Sequence, residues 1–115
     1  MIAIQELFDN REYILRRDRY REEFLDYLCE NGVNIDLRGG IVISPGATIG
    51  KDTTILPNTQ ICGHSTVGKG CLIGPNTVIS GSIVCEGCVI DSSYVYASTI
   101  EKEVEVGPYC HIDSS

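Results

Sequence analysis

The sequence lacks several features that would place it in familiar functional classes. It has no tryptophan and only two histidines, and its nine lysines and arginines are outnumbered by sixteen acidic residues, giving a formal net charge of -7. Nucleic acids and anionic membranes are polyanions, so bulk electrostatic attraction does not bring them to a chain of this charge. No apolar run approaches the roughly 18 residues that a membrane-spanning helix needs. We therefore expect no nucleic-acid partner and no membrane segment.

A targeting signal is also missing from the amino terminus. The segment MIAIQELFDNRE has no basic region followed by an apolar stretch, which a secretory signal peptide requires. We therefore predict a cytoplasmic protein whose six cysteines are free thiols, because the cytosol disfavours disulfides. The initial methionine favours a genuine start of the chain.

Composition divides the chain near the segment ENGVNIDLRGG. Residues 1–36 hold most of the charge and one glycine, whereas residues 37–115 hold the other glycines and all four prolines. The first region is predicted to be an N-terminal helical segment, with a helix from about Asn10 to Glu30 that is ended by Gly32. The apolar stripe predicted for this helix consists of Tyr13, Ile14, Tyr20, Phe24, Leu25, Tyr27 and Leu28.

The second region, 37–115, repeats every six residues. Its branched aliphatic residues follow this step without a break through Ile79 and then continue with some steps of five. They are Leu37, Ile43, Ile49, Ile55, Ile61, Val67, Ile73, Ile79, Val84, Ile90, Val95, Ile100, Val106 and Ile112. A second column lies two positions earlier, and none of its residues is large or charged. Its members are Ala47, Thr53, Thr59, Ser65, Cys71, Thr77, Ser82, Cys88, Ser93, Ser98, Val104 and Cys110.

A six-residue step predicts a solenoid in which three short, flat strands form one triangular coil. Residues 18 apart then stack at the strand spacing of about 4.8 Å. We expect both columns to point inward, with Ile43, Ile61 and Ile79 in one ladder and Ile55 with Ile73 in another. Residues 37–112 provide about four coils, so the predicted fold is mainly β: a parallel β-helix preceded by one amphipathic α-helix.

This pattern resembles the hexapeptide-repeat family, whose coils are left-handed β-helices. The segments GVNIDLRG at 32–39, IGPNTVI at 73–79 and EVGPYCHI at 105–112, preceded by a charged helix, are similar to the middle of the bacterial bifunctional enzymes that make UDP-N-acetylglucosamine. In that family a linker helix joins a uridylyltransferase domain to a left-handed β-helix, which acetylates glucosamine-1-phosphate with acetyl-CoA. The enzymes are usually trimers, so the resemblance implies a trimer here.

The resemblance does not carry a catalytic residue onto this chain. The family's glycine-rich nucleotide loop has no counterpart in the sequence, and Asp113 stands where an arginine follows the family's GPY segment. An aspartate inverts the charge that is offered to a phosphate-bearing sugar. We therefore expect neither of the family's two activities from these residues.

Four side chains are candidates for chemistry. His64 and His111 are expected to point outward, where either is a candidate general base, although an exposed histidine without an acidic partner is more often plain surface. Lys51 and Lys69 are the candidates for contacts with the phosphates of a cofactor such as acetyl-CoA.

We expect no metal site. Two histidines cannot supply the three imidazoles of a catalytic zinc site. Cys85 and Cys88 have the spacing of half a structural zinc site, but the repeat places Cys88 inward and Cys85 at a turn.

Two functional interpretations remain open. The favoured one is a non-catalytic or partial module that forms homo-oligomers, trimers before dimers, or binds a protein partner through flat faces that carry Tyr94, Tyr96 and Tyr109. The alternative is a small acyltransferase with a site between subunits that uses acetyl-CoA. Residues 37–115 hold only four cations against seven acids, which is a poor supply for the phosphates of coenzyme A, so we predict no cofactor.

Overall fold

The structure is a computed structural model that describes residues 19–114. Helix α1 covers residues 19–30 of this part of the chain, and short strands follow it. They are β1 (Val42–Ile43), β2 (Thr48–Ile49), β3 (Thr54–Ile55), β4 (Thr59–Cys62), β5 (Thr66–Val67), β6 (Leu72–Ile73), β7 (Thr77–Ser80), β8 (Ile83–Val84), β9 (Val89–Ile90), β10 (Tyr94–Tyr96), β11 (Thr99–Ile100), β12 (Glu105–Val106) and β13 (His111–Asp113).

Every third strand pairs in parallel, which builds three sheets around a common core. Sheet 1 has the order β1-β4-β7-β10-β13, sheet 2 runs β2-β5-β8-β11, and sheet 3 runs β3-β6-β9-β12. Each coil contributes one strand to each sheet, so four coils are complete and β13 starts a fifth. The predicted mainly β solenoid of about four coils with one preceding helix is confirmed; its left-handed sense stays an implication of the resemblance.

The stacking of aliphatic residues follows the predicted ladders. Ile43 pairs with Ile61, which pairs in turn with Ile79, and Ile55 pairs with Ile73. All five side chains are buried in one continuous core. Their burial supplies the main stabilisation of the solenoid, since a buried isoleucine contributes about 1.5–3 kcal/mol.

Coils shorten toward the carboxyl end without losing this register. In sheet 2, Val67 pairs with Ile49 18 positions before it and with Val84 17 positions after it, and Ile100 pairs with Val84 at a distance of 16. The shortening occurs in the corners: the corner that holds His64 has one residue more than the corner at Gly81. Steps of five in the sequence therefore remove corner residues and leave the inward ladder intact.

Small inward residues provide hydrogen-bond partners for backbone N–H and carbonyl groups at the corners. Thr53 donates its hydroxyl to the Gly68 carbonyl at 2.7 Å and accepts the Cys71 N–H at 3.2 Å. Ser93 likewise donates to the Asp91 carbonyl at 2.7 Å and accepts the Cys110 N–H at 3.1 Å. Buried corner groups that lack a ladder partner thus find one in a side chain.

Three residues that the repeat predicts to point inward are exposed, so the prediction was wrong for Leu37, Val104 and Cys110. Leu37 is 68% exposed because the chain around it forms a loop; Val33, Ile35 and Ile41 fill the core there instead. The bridge between Asn34 and Thr54 explains this, because it extends sheet 3 before the first complete coil begins. Val104 and Cys110 are exposed as well, since they belong to the last described levels, where no further coil of residues 19–114 covers them.

Helix α1 lies against the open edge of the first coil of its own chain. Leu25 and Leu28 are buried in the common core, and Gly32, at a φ of 93°, follows the end of the helix as predicted. The Arg21 guanidinium donates from Nε to the Ile41 carbonyl at 2.7 Å and from Nη2 to the Arg38 carbonyl at 2.9 Å. The helix thus provides partners for backbone groups that an open solenoid end leaves unpaired.

The apolar stripe of the helix is narrower than predicted. Tyr20 and Tyr27 are exposed, because the side that meets the solenoid is centred on Leu25 and Leu28, with Phe24 half-buried beside them. The predicted helix start near residue 10 and the stripe positions Tyr13 and Ile14 lie outside the described residues.

Candidate functional site

The outer surface of sheet 1 is the largest flat surface of the solenoid. Its strands contain up to four residues, whereas each strand of sheets 2 and 3 has two. We call this surface the sheet-1 face and define it by the outward residues Val42, Gln60, Cys62, Val78, Ser80, Tyr94, Tyr96, His111 and Asp113.

Three aromatic rings form a cluster at one end of the sheet-1 face. The ring centroids of Tyr94 and Tyr96 are 6.3 Å apart, and His111 lies 6.3 Å from Tyr94 and 5.5 Å from Tyr96. All three pairs are edge-to-face, the arrangement that the ring quadrupoles favour. The cluster is a partly exposed aromatic surface, which suits it to contact another molecule.

Tyr109 does not join these rings. It lies at the corner between β12 and β13, is 89% exposed, and borders a groove of about 440 Å³. The groove is lined by Asn76, Ser92, Ser93, Tyr94, Tyr109, Cys110 and His111. The sequence therefore identified two members of the cluster, Tyr94 and Tyr96, but its third ring is His111.

The two histidines lie in different parts of the solenoid. His64 is exposed at the corner between β4 and β5, where its imidazole covers Gly46: a Cβ added at Gly46 would lie 2.9 Å from Nδ1. No carboxylate in residues 19–114 forms an ion pair with His64. His111 is three levels away in sheet 1, so the structure does not bring the two candidate bases together.

Lys51 and Lys69 lie at the corners that connect sheet 2 to sheet 3. The Lys69 Nζ atom is 4.0 Å from a carboxylate oxygen of Glu86, and Lys102 reaches the same carboxylate at 3.6 Å. Asp52 and Glu103 line the same shallow surface as Lys69. Any phosphate near Lys69 therefore meets carboxylates as well, which weakens the attraction.

Arg38 is the fourth cation of residues 37–114, and it pairs with two carboxylates of helix α1. Its guanidinium contacts the Asp26 carboxylate at 2.7 Å and the Glu22 carboxylate at 2.9 Å. Hydrogen bonds to Asp26 and then to Glu22 raise the pKa of Arg38 above its ordinary value. Arg38 thus fastens helix α1 to the loop before β1, and its charge is already neutralised.

Two of the cysteines are part of the core. Cys71 and Cys88 are buried, and their thiols donate to the Cys85 carbonyl at 3.2 Å and the Glu101 carbonyl at 2.9 Å. Burial raises the pKa of the Cys71 thiol, so it stays protonated at neutral pH. Cys85 is half-buried and directly follows β8, whereas Cys88 is buried. Residues 19–114 contain no group of three or more His, Cys, Asp or Glu side chains placed to hold a metal ion.

The part of the chain that the structure describes has no helix with the length and apolarity needed to cross a bilayer. Residues 46–81 match the family described as bacterial transferase hexapeptide (six repeats). Together with the six-residue register and the three parallel sheets, this match shows that the solenoid contains hexapeptide repeats.

The similarity extends to particular curated relatives. The Bifunctional protein GlmU of Caldanaerobacter subterraneus subsp. tengcongensis is 38% identical over 103 residues, which are 90% of this chain and 21% of that protein. The protein of the same name from Thermoanaerobacter pseudethanolicus is 35% identical over 107 residues, 93% of this chain and 22% of its own length. That of Bacillus velezensis is 40% identical over 83 residues, 72% of this chain and 18% of its own length.

These relatives confirm the resemblance to bacterial bifunctional enzymes that the sequence predicted. The chain spans only about a fifth of the length of the relatives it matches. The part of this chain that is similar to them includes the hexapeptide repeats of residues 46–81.

Proposed function

We propose that this chain is a hexapeptide-repeat module that acts by homo-association in the cytoplasm and not by catalysis, with a trimer favoured over a dimer. The observation that carries the proposal is the apolar surface that sheet 1 leaves exposed. Val42 and Tyr94 are large hydrophobic residues that project outward from sheet 1 and are each 48% exposed, and the rings of Tyr96 and His111 lie beside Tyr94. Apolar and aromatic side chains grouped on one surface of a protein are typical of an interaction site.

The charges of the described residues support a role without coenzyme A. Coenzyme A brings several phosphate charges, whereas Arg38 is paired with two carboxylates and Lys69 shares Glu86 with Lys102. Within residues 37–114 only Lys51 has no carboxylate of a described residue within ion-pair distance. One exposed lysine is a weak phosphate site, since a solvated charge pair contributes at most about 1 kcal/mol.

Sedimentation equilibrium of the purified chain at micromolar concentration tests homo-association. The expected result is a mass of three times the 12.6 kDa of one chain, or of twice that mass for a dimer. A single monomeric species over the whole concentration range would overturn the proposal and leave a different protein as the partner.

Calorimetric titration with acetyl-CoA, and then with UDP-N-acetylglucosamine, tests the absence of catalysis at physiological salt. We expect no saturable binding below about 1 mM, a limit that corresponds to roughly 4 kcal/mol. Saturable binding of acetyl-CoA would favour the alternative, a small acyltransferase with an intersubunit site. In that case His64→Gln and His111→Gln would identify the base, and Lys51→Gln and Lys69→Gln would test the phosphate contacts.

A further inference from the structure

The three outer surfaces of the solenoid differ in their charge and in their side chains. On the sheet-1 face, the outward residues of β1, β4, β7 and β10 are uncharged, and a carboxylate first appears at Asp113 in β13. Sheet 3 carries Glu105 among its outward strand residues, with Asp91 directly after β9. Sheet 2 presents mostly threonine and is bordered by the charged corner that holds Lys69 and Glu86.

These differences matter because each copy of the chain carries a formal net charge of -7. Like charges that face each other across a contact oppose association, so copies of so acidic a chain are favoured to meet through surfaces with few carboxylates. The outward strand residues of sheet 2, and those of sheet 1 through β10, are free of carboxylates, but Asp52, Glu86 and Glu103 line the corner beside sheet 2. The sheet-1 face also carries Tyr94 and Tyr96, and tyrosine is enriched where protein interfaces are fully buried, whereas glutamate and aspartate are depleted there.

The sheet-1 face is also the broadest of the three surfaces. Its five strands extend roughly 20 Å across the sheet at the usual strand spacing. At the β1 end it continues into an apolar groove of about 540 Å³ between helix α1 and the sheet, lined in part by Tyr20, Phe24, Val42 and Pro45. The strands alone provide less than the roughly 800 Å² per partner of a standard interface, so the groove adds needed contact area.

We infer that copies of this chain meet through the sheet-1 face, and that the surface covering it belongs to a second copy of the chain. The inference rests on the proposed homo-association and names the surface responsible for it. A contact of this size, with an aromatic cluster and few charges, is expected to have a dissociation constant in the micromolar range.

A matched pair of variants tests the surface. Tyr94 on sheet 1 and Ile83 on sheet 2 are 48% and 50% exposed, and both point outward from interior strands of their sheets. Tyr94→Glu is expected to weaken association at least tenfold in sedimentation equilibrium, whereas Ile83→Glu changes it by less than about threefold. Far-UV circular dichroism of both variants checks that the solenoid is intact.

Cross-linking provides a second test that leaves the aromatic cluster unchanged. Cys62 lies on the sheet-1 face, while Cys85 belongs to the corner after sheet 2. In a variant with Cys29, Cys85 and Cys110 replaced by serine, a short bismaleimide should join Cys62 of two copies into a covalent dimer. The matched variant that keeps Cys85 and replaces Cys62 should stay uncross-linked at the same concentration.

The outcomes separate this inference from the proposed function. A monomeric unmodified chain would overturn both. An associated chain that Ile83→Glu dissociates and Tyr94→Glu does not, or that cross-links through Cys85 and not through Cys62, would keep homo-association and overturn the sheet-1 assignment.

Discussion

Ser65 and Ser82 occupy neighbouring levels of one inward column and are joined through the Ser65 hydroxyl. Ser65 Oγ donates to the Cys62 carbonyl at 2.7 Å and accepts the backbone N–H of Ser82 at 3.2 Å. A hydroxyl can donate and accept at once, which an alanine of similar size cannot do. At Ser65 the column therefore holds a residue that is small enough for the corner and still able to satisfy two backbone groups.

Replacement of Ser65 by alanine is expected to destabilise the fold by about 1–3 kcal/mol, because it leaves the buried N–H of Ser82 without its partner. The neighbouring change Thr66→Ala removes an exposed hydroxyl and is expected to cost about 0.5 kcal/mol or less. Urea unfolding of both variants measures the difference. Equal losses of stability would show that the hydroxyl bridge contributes nothing specific.

The repeat predicted the middle of the solenoid well because one geometric rule governs it. Residues 18 apart stack, so Ile43, Ile61 and Ile79 had to share a ladder, and the small partners had to lie at the corners. The rule does not extend to the junction with the helix. There the bridge from Asn34 to Thr54 sets the register, and Ile41 is buried in the region where Leu37 had been expected to point inward.

The outward orientation of the candidate site residues also followed from the repeat, but their grouping did not. Tyr94 and His111 are 17 positions apart and become neighbours only because the coil between them has lost a residue. Tyr109 looked like a third ring of the cluster, yet its position in a corner directs it toward the groove. The steps of five show which corner is shortened, but they do not show where a corner side chain such as that of Tyr109 is directed.

The contact of Arg21 with the first coil leads to a second prediction. Arg21→Met keeps an apolar stem over the core but removes the donors to the carbonyls of Ile41 and Arg38. We expect a loss of about 1–3 kcal/mol in the free energy of unfolding. Arg19→Met, at an exposed position of the same helix, serves as the control and should have little effect. If the two variants unfold alike, the capping role of Arg21 is wrong.

Tyr109 has a backbone conformation that its residue type disfavours. Its φ is 61°, and the equivalent corner positions hold Asn58 at 60°, Asn76 at 53° and Ser92 at 46°. Asparagine tolerates the left-handed region far better than an aromatic residue does.

Tyr109→Asn is therefore expected to raise the free energy of unfolding by roughly 1 kcal/mol, since so exposed a ring gives up few contacts. Tyr109→Val, which introduces a β-branched residue at the same φ, should lower it. Thermal unfolding of the two variants and the unmodified chain gives the order, and a stabilised valine variant would contradict the explanation by backbone strain.

The buried thiol of Cys71 predicts how stability depends on pH. Burial raises the pKa of Cys71 in the folded chain, whereas an unfolded cysteine ionises at about 8.5. The stabilisation is therefore fully present below the unfolded pKa, and it is lost as the pH rises through the folded pKa, with a slope of at most about 1.4 kcal/mol per pH unit. Cys71→Ser keeps a donor for the Cys85 carbonyl and removes the thiol.

Urea unfolding between pH 7.5 and 10 compares this variant with the unmodified chain, so that the titration of lysines and tyrosines cancels in the difference. We expect the unmodified chain to lose more stability above pH about 8.5 than Cys71→Ser does. Cys110→Ser, which alters an exposed thiol, should follow the unmodified chain at every pH. If Cys71→Ser shows the same pH dependence as Cys110→Ser, the Cys71 thiol is not a source of the alkaline loss of stability.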